Sequence, residues 1–400
     1  MASTRLWYLA VKKETVRGTV VKPTNFIRFK EWAIEYAQEI IENNPIQNVR
    51  WNAITAVPGK VATDGSYNLD GDARDIGYFL LAGLGTYAPT TLGSGAFRHT
   101  FNTANKLPSL SLEQLQGDST GADNVVSRAF GVLVDKIEMS GSDGIIGMQF
   151  DVKATWVFLK SNLLATAAIG TPSTIDIVSS EGLVVGDLIT VAETSGTLST
   201  ENTAIVAVTD SDTITANLTV AKAIANAPKV ELRAQTPSYS TAQKVFSFMH
   251  ASFQFGTNLT TAASATEENV ENWTFTYMNN LEERYGSLRA TPSVIAEKGA
   301  SGTLKFTKFF ETRTDRDRYL DQTRRACILT LKLPDLVGSS TTERFALILK
   351  MSDLRFTGYK MDTGADDVYV AEMEASLFYD ATDAKALQIE LTNDVTDYAV

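Results

Sequence analysis

The residues that most often build metal sites are scarce in this chain. Its two histidines, His99 and His250, are far apart, and neither has a Cys, Asp or Glu at ligand spacing. A zinc site needs three or four such groups. The single cysteine, Cys327, lies in the apolar run Ala326 to Leu329, which predicts a buried side chain rather than a reactive thiol. With one cysteine, no disulfide can form within the chain.

Acidic turns are the next candidates for chemistry. Asp70-Gly71-Asp72 and the turn at Asp143 could in principle hold calcium, but no twelve-residue ligand loop can be laid over either. The sequence also contains no nucleophile elbow, Walker A loop or dinucleotide fingerprint. Carboxylates are abundant, yet none stands out in an apolar neighbourhood as a catalytic acid does. We therefore predict no enzyme activity, no metal and no cofactor.

Basic residues concentrate in one segment, from Thr312 to Arg318, followed by Arg324 and Arg325. Interleaved aspartates favour a solvated or inter-subunit ion-pair surface over a DNA-contact patch, so Arg316 and Arg318 are predicted subunit contacts. The whole chain has a net charge of −11 and an isoelectric point near 4.9. This charge argues against a groove that grips nucleic acid, although DNA could still slide past such a surface.

Length and composition are those of a soluble globular protein with two or three domains. The chain has 400 residues, of which 44% are hydrophobic and 21% charged. Residues Met1 to Tyr8 contain no apolar segment of signal-peptide length, and the apolar run Ile76 to Ala88 is too short to span a bilayer. These features predict a protein made in a cytoplasm, with no membrane association.

A change of composition divides the chain. From Ile169 to Arg233 there is no aromatic residue, and five short apolar segments alternate with Gly, Asp and Ser turns. This pattern predicts a small inserted β-barrel over residues 169–236. The flanking units then cover residues 1–168, with an N-terminal arm, and residues 237–400.

A weak internal repeat relates the two flanking units. In Gly59–Leu81 and again in Glu297–Leu320, a Lys and a Gly precede a short alternating strand, and an Arg-Asp pair then opens a helix-like run. We expect equivalent helices at 72–84 and 315–325, the first with Asp72 as N-cap and Gly85 as its end. The fold class is predicted to be mainly β, with two tandem β-sandwich or barrel-plus-helix units and the inserted barrel.

The remaining strands are predicted from alternation. Ala129–Met139 and Ile145–Phe158 should form a hairpin with one buried face. Val49–Val57 and Lys60–Leu69 should pair around a turn at Pro58-Gly59. The segment Phe26–Asn43 fits either a helix or a strand, and we favour a strand for Glu35–Ile41.

Two segments are predicted to lack regular structure until the protein assembles. Residues 1–23 are expected to form an extended arm, and residues 90–127 a long loop. The loop contains Phe97, Phe101 and Leu107, apolar residues of little use in a solvated loop. We therefore predict that these three residues make contacts between subunits or stacked rings.

The opening Leu9-Ala10-Val11-Lys12-Lys13-Glu14-Thr15, then Gly18-Thr19 and Lys22-Pro23-Thr24, resembles the start of tail tube proteins of long-tailed (siphovirus-type) bacteriophages. The strand–Gly–strand–helix unit at Gly65–Leu81 is also similar to that family. The resemblance covers both halves but not the insertion. It implies β-sandwiches with a flanking helix that assemble into rings around a DNA-sized lumen, stacked through loops and arms.

The resemblance has further implications for a doubled unit. It implies three chains per ring, an outward-facing insertion, and tape measure and tail tip or terminator proteins as partners. Viral DNA would pass through the lumen without specific binding, and the protein would reside in the virion tail after assembly in host cytoplasm. For the lumen we expect Glu35, Glu39, Glu372 and Glu374.

Three other functions compete with the tail tube. The protein could be a different virion component (a capsid, connector or decoration protein), a carbohydrate-binding β-sandwich of a tail fibre, or an enzyme. A fibre lectin should expose clusters of Trp and Tyr, whereas the aromatic residues here lie mostly in alternating strands. A hydrolase should show two poised carboxylates or a nucleophile–base pair.

Overall fold

A computed structural model describes residues 7–34, 37–43, 55–117, 125–158, 170–177, 180–193, 200–219, 229–240, 242–309, 313–362 and 370–399. Within these ranges the protein is mainly β, as predicted. Eighteen strands join into one hydrogen-bonded network that curves into a barrel-like body, and five further strands form a separate sheet. No helix in the described ranges is long and apolar enough to cross a membrane.

The elements follow one another along the chain in three groups. Before the insertion lie β1 (Tyr8–Lys13), β2 (Asn25–Ile27), β3 (Glu31–Ile34), β4 (Ala37–Asn43), β5 (Thr55–Ala62), β6 (Asp64–Asp70), α1 (Gly77–Leu84), β7 (Gly85–Gly93), β8 (Ala96–Thr103), β9 (Leu110–Gln116), β10 (Val125–Gly141), β11 (Gly147–Lys153) and β12 (Trp156–Phe158). The insertion contains β13 (Gly170–Asp176), β14 (Leu188–Ala192), β15 (Thr200–Val208), β16 (Thr213–Leu218) and β17 (Lys229–Leu232). After it come a 3-10 turn (Phe248–His250), β18 (Ala251–Gly256), α2 (Leu259–Ala263), β19 (Glu267–Glu268), β20 (Val270–Met278), β21 (Glu282–Arg284), β22 (Val294–Ala296), β23 (Ser301–Phe309), α3 (Thr314–Leu320), β24 (Arg325–Leu336), β25 (Arg344–Asp362), β26 (Val370–Phe378) and β27 (Leu387–Asn393).

The strand pairings of the first half recur in the second. In the first half β1 pairs with β9, β9 with β10, β10 with β11, β11 with β6, and β6 with β3. In the second half β18 pairs with β24, β24 with β25, β25 with β26, β26 with β23, and β23 with β20. All of these pairs are antiparallel, and α1 and α3 occupy the same place in the order, between β6 and β9 and between β23 and β24.

The two long strands β10 and β25 match in detail. Each carries two register shifts, after Ala129 and Val134 in β10 and after Met351 and Phe356 in β25. Both pairs of equivalent positions lie 222 residues apart. Bulges bend a strand and strengthen its twist, so equal bulges let each long strand pass from one sheet to another.

Helix α1 lies in the core. All eight of its residues are buried, and Phe79 stacks on Phe150 at 4.8 Å. Its two interior glycines allow this close packing, because a Cβ at Gly77 would lie 2.2 Å from the ring of Tyr398 and one at Gly83 would lie 2.6 Å from Ile137. In α3, by contrast, only Asp315 is buried. The helix of the first half is thus an interior element and that of the second a peripheral one.

The insertion has its own core. Its strands form a sheet in the order β13-β16-β15-β14-β17, around a cluster that includes Ile175, Ile189, Val191 and Ile214. The five strands agree with the five predicted segments. They form an open sheet in the described residues rather than the expected barrel, because β13 and β17 lie at opposite edges.

The helix boundaries differ from those predicted. Asp72 does not cap α1: its carboxylate accepts the N–H groups of Arg74 and Lys244, which stabilises a turn before the helix. The prediction that Gly85 ends the helix is confirmed, and its φ of 100° shows why a glycine is needed there. In the second half α3 ends at Leu320, because β24 begins at Arg325.

Three predictions of irregular structure are wrong. Within residues 1–23, β1 is a buried strand between β2 and β9 rather than an arm. Within residues 90–127, β7, β8, β9 and the start of β10 replace the long loop. No turn occurs at Pro58-Gly59, because β5 runs through it and the break falls at Thr63. Polar composition misled the first two predictions and the Pro-Gly pair misled the third, since cross-strand pairing rather than local propensity orders these segments.

Two other expectations are confirmed. β10 and β11 form the predicted hairpin, and Ile146, Met148, Phe150, Val152 and Ala154 form its buried face. The choice of a strand for Glu35–Ile41 also holds for the part that β4 covers, while Glu35 and Tyr36 lie outside the described residues.

Candidate assembly interface

One sheet runs through both halves of the body. Its strand order is β3-β6-β11-β10-β20-β23-β26-β25, and we call it the continuous sheet. The halves meet where β10 pairs with β20, with Met139 opposite Phe275 and Gly141 opposite Trp273. We call this pairing the internal joint. It is tight, because a Cβ at Gly141 would lie 2.9 Å from the indole nitrogen of Trp273.

Both ends of the continuous sheet are open in the described residues. At one end β3 pairs with β6 alone, and at the other the segment Arg355–Asp362 of β25 pairs with β26 alone. β25 is the equivalent of β10, and β3 is the equivalent of β20. The two open ends of one chain therefore carry the equivalents of the two strands that form the internal joint: β25 for β10 at one end, and β3 for β20 at the other.

Side-chain exposure shows what the open end lacks. Met139 in β10 is fully buried, whereas its equivalent Met361 in β25 is 39% exposed. Two residues earlier, on the same face of each strand, Ile137 is buried and Tyr359 is only half-buried. In the internal joint β20 lies beside Met139, whereas no strand of the described ranges takes that place beside Met361. An open edge with apolar side chains is a site for strand addition.

The face of the continuous sheet that points away from the core is polar, and we call it the open face. In the first half its charged residues include Glu31, Asp64, Asp70, Lys136, Glu138, Asp151 and Lys153. In the second half they include Lys305, Lys360, Glu372 and Glu374, which pair as Lys305–Glu374 at 3.4 Å and Lys360–Glu372 at 3.5 Å. The first half of this face is acidic and the second is nearly balanced.

The acidic half also contains internal ion pairs. Lys136 lies 2.8 Å from Glu138 and 3.8 Å from Asp151. The hydrogen bond that Lys136 donates to Glu138, followed by the charge of Asp151, raises the pKa of Lys136 above its usual value despite partial burial. Lys136 therefore stays charged and neutralises part of this surface, leaving a moderate rather than an intense negative potential.

Two hairpins extend from the same end of the continuous sheet. β4 and β5 form the first, between β3 and β6, and β21 and β22 form the second, between β20 and β23. They touch where the Val61 N–H donates to Ala290 at 2.8 Å. The first is longer and exposes Ile40 (68%), Ile41 (50%) and Val57 (54%). Because consecutive strand residues point to opposite sides, both faces of this hairpin carry exposed apolar side chains among charged ones.

The residues predicted as contacts from the supposed loop lie elsewhere. Phe101 is buried in the main core and Leu107 is buried against Leu133, Leu281 and Ile295. Phe97 is half-buried on β8, opposite Asn393 of β27. These three residues therefore do not lie in a solvated loop, because β8 is part of the folded chain, and their contact between subunits stays a prediction.

The basic segment forms ion pairs within the chain. Arg318 lies 2.8 Å from Asp315, which also binds Lys308 at 2.5 Å. Arg316 is exposed and lies 3.4 Å from Asp317. Of these residues, Arg316 remains open to a partner.

The predicted lumen residues fall in three places. Glu372 and Glu374 lie on β26, on the open face. Glu39 is exposed on the β4–β5 hairpin. Glu35 lies outside the described residues.

The remaining candidates have structural surroundings. His99 is buried between the Tyr87 hydroxyl (2.9 Å) and Asn393 (3.0 Å), and burial lowers its pKa, so the ring is neutral at physiological pH. The prediction that Cys327 is buried is confirmed, and burial raises the pKa of its thiol. His250 bonds Ser247, and Asp143 is exposed in its turn. Within the described ranges no group of three or more His, Cys, Asp or Glu side chains is arranged for a metal.

Sequence reasoning missed the strongest sign of the internal joint. Strands β3 and β20 share the order Trp-x-apolar: Trp32 and Ile34 correspond to Trp273 and Phe275, judged by their partners on β6 and β23. Trp32 lies opposite Tyr67 and Trp273 opposite Phe306. The two tryptophans align β3 with β20, an equivalence that the Gly and Arg-Asp motifs of the sequence repeat do not include.

Comparison with known proteins agrees with this architecture. A search of curated proteins finds no match. A family model described as phage tail tube protein matches residues 7–377, which include both halves and the insertion. A match of that length shows the family, so the chain belongs to the phage tail tube proteins and is a structural component of a viral tail.

Proposed function

We propose that this protein is the major tail tube subunit of a siphovirus-type phage, that its halves are two copies of one tail-tube unit, and that three chains close one ring of the tube. The observation that carries the proposal is the internal joint. Each chain already contains one β10–β20 pairing between its halves. The open edges of β25 and β3 supply the same pairing between chains.

The internal joint predicts the register of the joint between chains. Applying the 222-residue offset to β10 and the equivalence of β20 with β3 places Met361 opposite Ile34, Asp362 opposite Ala33 and Gly358 opposite Ala37 of the next chain. An interface between two different surfaces forms a ring when its rotation closes. Six similar units per ring, as the family resemblance implies, then require three chains.

The open face would line the lumen. In a closed ring the core and the insertion lie on the opposite side of the continuous sheet from this face. The lumen would alternate between acidic first halves and balanced second halves, with Asp151, Glu372 and Glu374 among its residues. A lumen of this charge lets DNA pass during ejection, because phosphates find no excess of Lys and Arg to bind.

The paired hairpins would join successive rings. Exposed apolar groups on both faces of the β4–β5 hairpin need a partner surface, and the next ring offers one. Burying each such aliphatic side chain contributes on the order of 1.5–3 kcal/mol. Tape measure and terminator proteins would bind the lumen and the tube ends in the virion, after assembly in the host cytoplasm.

Disulfide trapping tests the joint between chains. Ala33→Cys with Asp362→Cys, oxidised during assembly, should give a covalent ladder that stops at three chains. The matched control is Ser140→Cys with Thr274→Cys, the equivalent positions of the internal joint. It should cross-link within one chain and run as a monomer, and buried Cys327 should not interfere.

The same gel and electron micrographs can contradict the proposal. A ladder that stops at six chains would overturn three chains per ring. Cross-linking of the control pair without any of the Ala33–Asp362 pair, in preparations that show tubes by negative stain, would overturn the register. Absence of rings and tubes under all assembly conditions would overturn the function itself.

A further inference from the structure

The two halves differ most on the outward side of their flanking sheets. In the first half β1, β9 and β10 present Tyr8, Glu113 and Arg128 on this side, and all three are buried. In the second half the equivalent position of Arg128, 222 residues later, is Lys350. Lys350 is 27% exposed and pairs with Glu390 at 2.5 Å, as an ordinary surface lysine does.

The inserted sheet accounts for this difference. Arg128 reaches out of β10 and bonds the insertion twice through one carboxylate, to Asp187 Oδ2 at 2.7 Å and to Asp187 Oδ1 at 2.9 Å. It also donates to the carbonyl of Gly182 at 2.8 Å. A planar guanidinium fits a carboxylate in this two-fold manner and a lysine cannot. Asp187 is itself held by the Val184 N–H at 2.8 Å.

The other side of Arg128 is bound to the body. Its guanidinium donates to Glu113 of β9, which also accepts the Tyr8 hydroxyl at 2.6 Å and the Gln235 amide at 2.8 Å. Burial opposes the charge on Arg128, but Asp187 and Glu113 outweigh it and raise the pKa of the guanidinium above its usual value. One side chain thus connects a carboxylate of the body with a carboxylate of the insertion, without exposure to water.

We propose that the insertion is a rigid arm rather than a tethered domain, and that Arg128 is the positioning residue that fixes its angle to the body. Geometry makes this role specific. A buried two-fold ion pair is lost steeply with displacement, because both charges then lie in a dry site without a partner. A purely apolar contact would tolerate sliding. In a tube, such arms would project from the wall at one repeated angle.

Electron spin resonance distances on the full chain test this proposal, independently of ring formation. Labels are placed at Val206→Cys in the insertion and Asn105→Cys in the body, both exposed, with labelled chains diluted in unlabelled protein. The parent should give one narrow distance distribution. Asp187→Asn and Glu113→Gln should each broaden it at least twofold, and Arg128→Lys should have an intermediate effect.

Glu231→Gln is the matched control, because Glu231 lies on β17 of the insertion and pairs with Lys229 of the same strand. It should leave the distribution narrow. Hydrogen exchange of β14 and β15 amides checks that the insertion stays folded. If Asp187→Asn unfolds the insertion, the Glu113→Gln variant provides the test, because it changes only the body side of the Arg128 contacts. A folded Glu113→Gln or Asp187→Asn variant with the parent's narrow distribution would overturn the proposal.

Discussion

The internal joint and the open edges of the continuous sheet consist of equivalent strands. β10 and β20 are paired in the joint, whereas their equivalents β25 and β3 lie at the two open edges and are not paired with each other in the described residues. Met139 and Met361 occupy equivalent positions, yet the first is buried beside β20 and the second is 39% exposed. Met139 has β20 beside it, whereas within the described residues Met361 has no strand on that side, and we attribute the difference in exposure to this.

The outward sides of the two halves teach the opposite lesson. Here the pairings are equivalent but the side chains are not: Tyr8, Leu115 and Arg128 of the first half correspond to Ser252, Thr330 and Lys350 of the second. The three polar residues of the second half face solvent and the short helix α2. The three larger residues of the first half lie under the insertion and the segment after it. Strands that pair in the same way thus carry different outward side chains, according to which element packs against them.

The largest expected effect separates the two joints. Met361→Asp should lower the yield of rings and tubes at least a hundredfold. It should change the free energy of unfolding of the chain by less than about 0.5 kcal/mol, as substitutions at other exposed positions do. Met139→Ala should instead destabilise the chain itself, by about 2–5 kcal/mol, because a buried methionine leaves a cavity. Denaturant unfolding and negative-stain microscopy measure the two outcomes. Equal unfolding costs for both variants would show that Met361 is not an edge residue.

The next prediction concerns the cover of the first half. Deleting residues 169–235 with a Gly-Ser bridge should by itself yield aggregated protein, because the cluster of Tyr8, Leu115 and Val126 loses Leu232 and Ala234, and Arg128 loses Asp187.

Side chains taken from the equivalent positions of the second half should restore the solubility of the deletion variant. The deletion combined with Tyr8→Ser, Leu115→Thr and Arg128→Lys carries the residues that face solvent at the equivalent positions. We expect soluble folded protein, measured by size exclusion and circular dichroism. Equal aggregation of both deletion variants would contradict the equivalence of the two outward sides.

The smallest expected effect contrasts the acidic residues near the two helices. Burial, reinforced by the charge of Asp72, raises the pKa of Asp75 to about 6. Since the unfolded value is near 3.9, the protonated form stabilises the fold below about pH 4, and this contribution is lost as pH rises through 6. Asp75→Asn should therefore remove that slope and increase stability at pH 8 by up to about 3 kcal/mol.

Asp315 should behave in the opposite way at neutral pH. It is buried beside Lys308 at 2.5 Å and Arg318 at 2.8 Å, so Asp315→Asn leaves Lys308 with one carboxylate fewer and should cost about 2–3 kcal/mol. Urea unfolding between pH 4 and 8 measures both variants. Stabilisation by Asp315→Asn, or an unchanged pH slope in Asp75→Asn, would show that the two acids are equivalent after all.

Much of the fold could be predicted from local pattern. Alternation located the β10–β11 hairpin, and the lack of aromatics together with regular turns located the five strands of the insertion. The repeat was visible but was aligned on Gly and Arg-Asp motifs, although the tryptophans of β3 and β20 carry it more clearly. β1 and the β7–β8 hairpin escaped prediction, because the charged residues that follow Tyr8–Val11 and the Thr- and Gly-rich composition of β7 are typical of irregular segments. β1 and β8 pair with β9 and β27, which are distant in sequence, whereas β7 pairs with the adjacent β8.

The amino-acid sequence by itself determined a mainly β chain, a distinct aromatic-free insertion and the scarcity of catalytic or metal-binding groups, and it indicated an internal repeat. These follow from composition and short periodicity, which act over a few residues. Only the tertiary structure decided that Phe101 and Leu107 are buried, that Met361 lies at an open edge, and that Arg128 joins Glu113 to Asp187. Those properties depend on which distant strands become neighbours, and that is set by the free energy of the whole packed sheet rather than by any one segment.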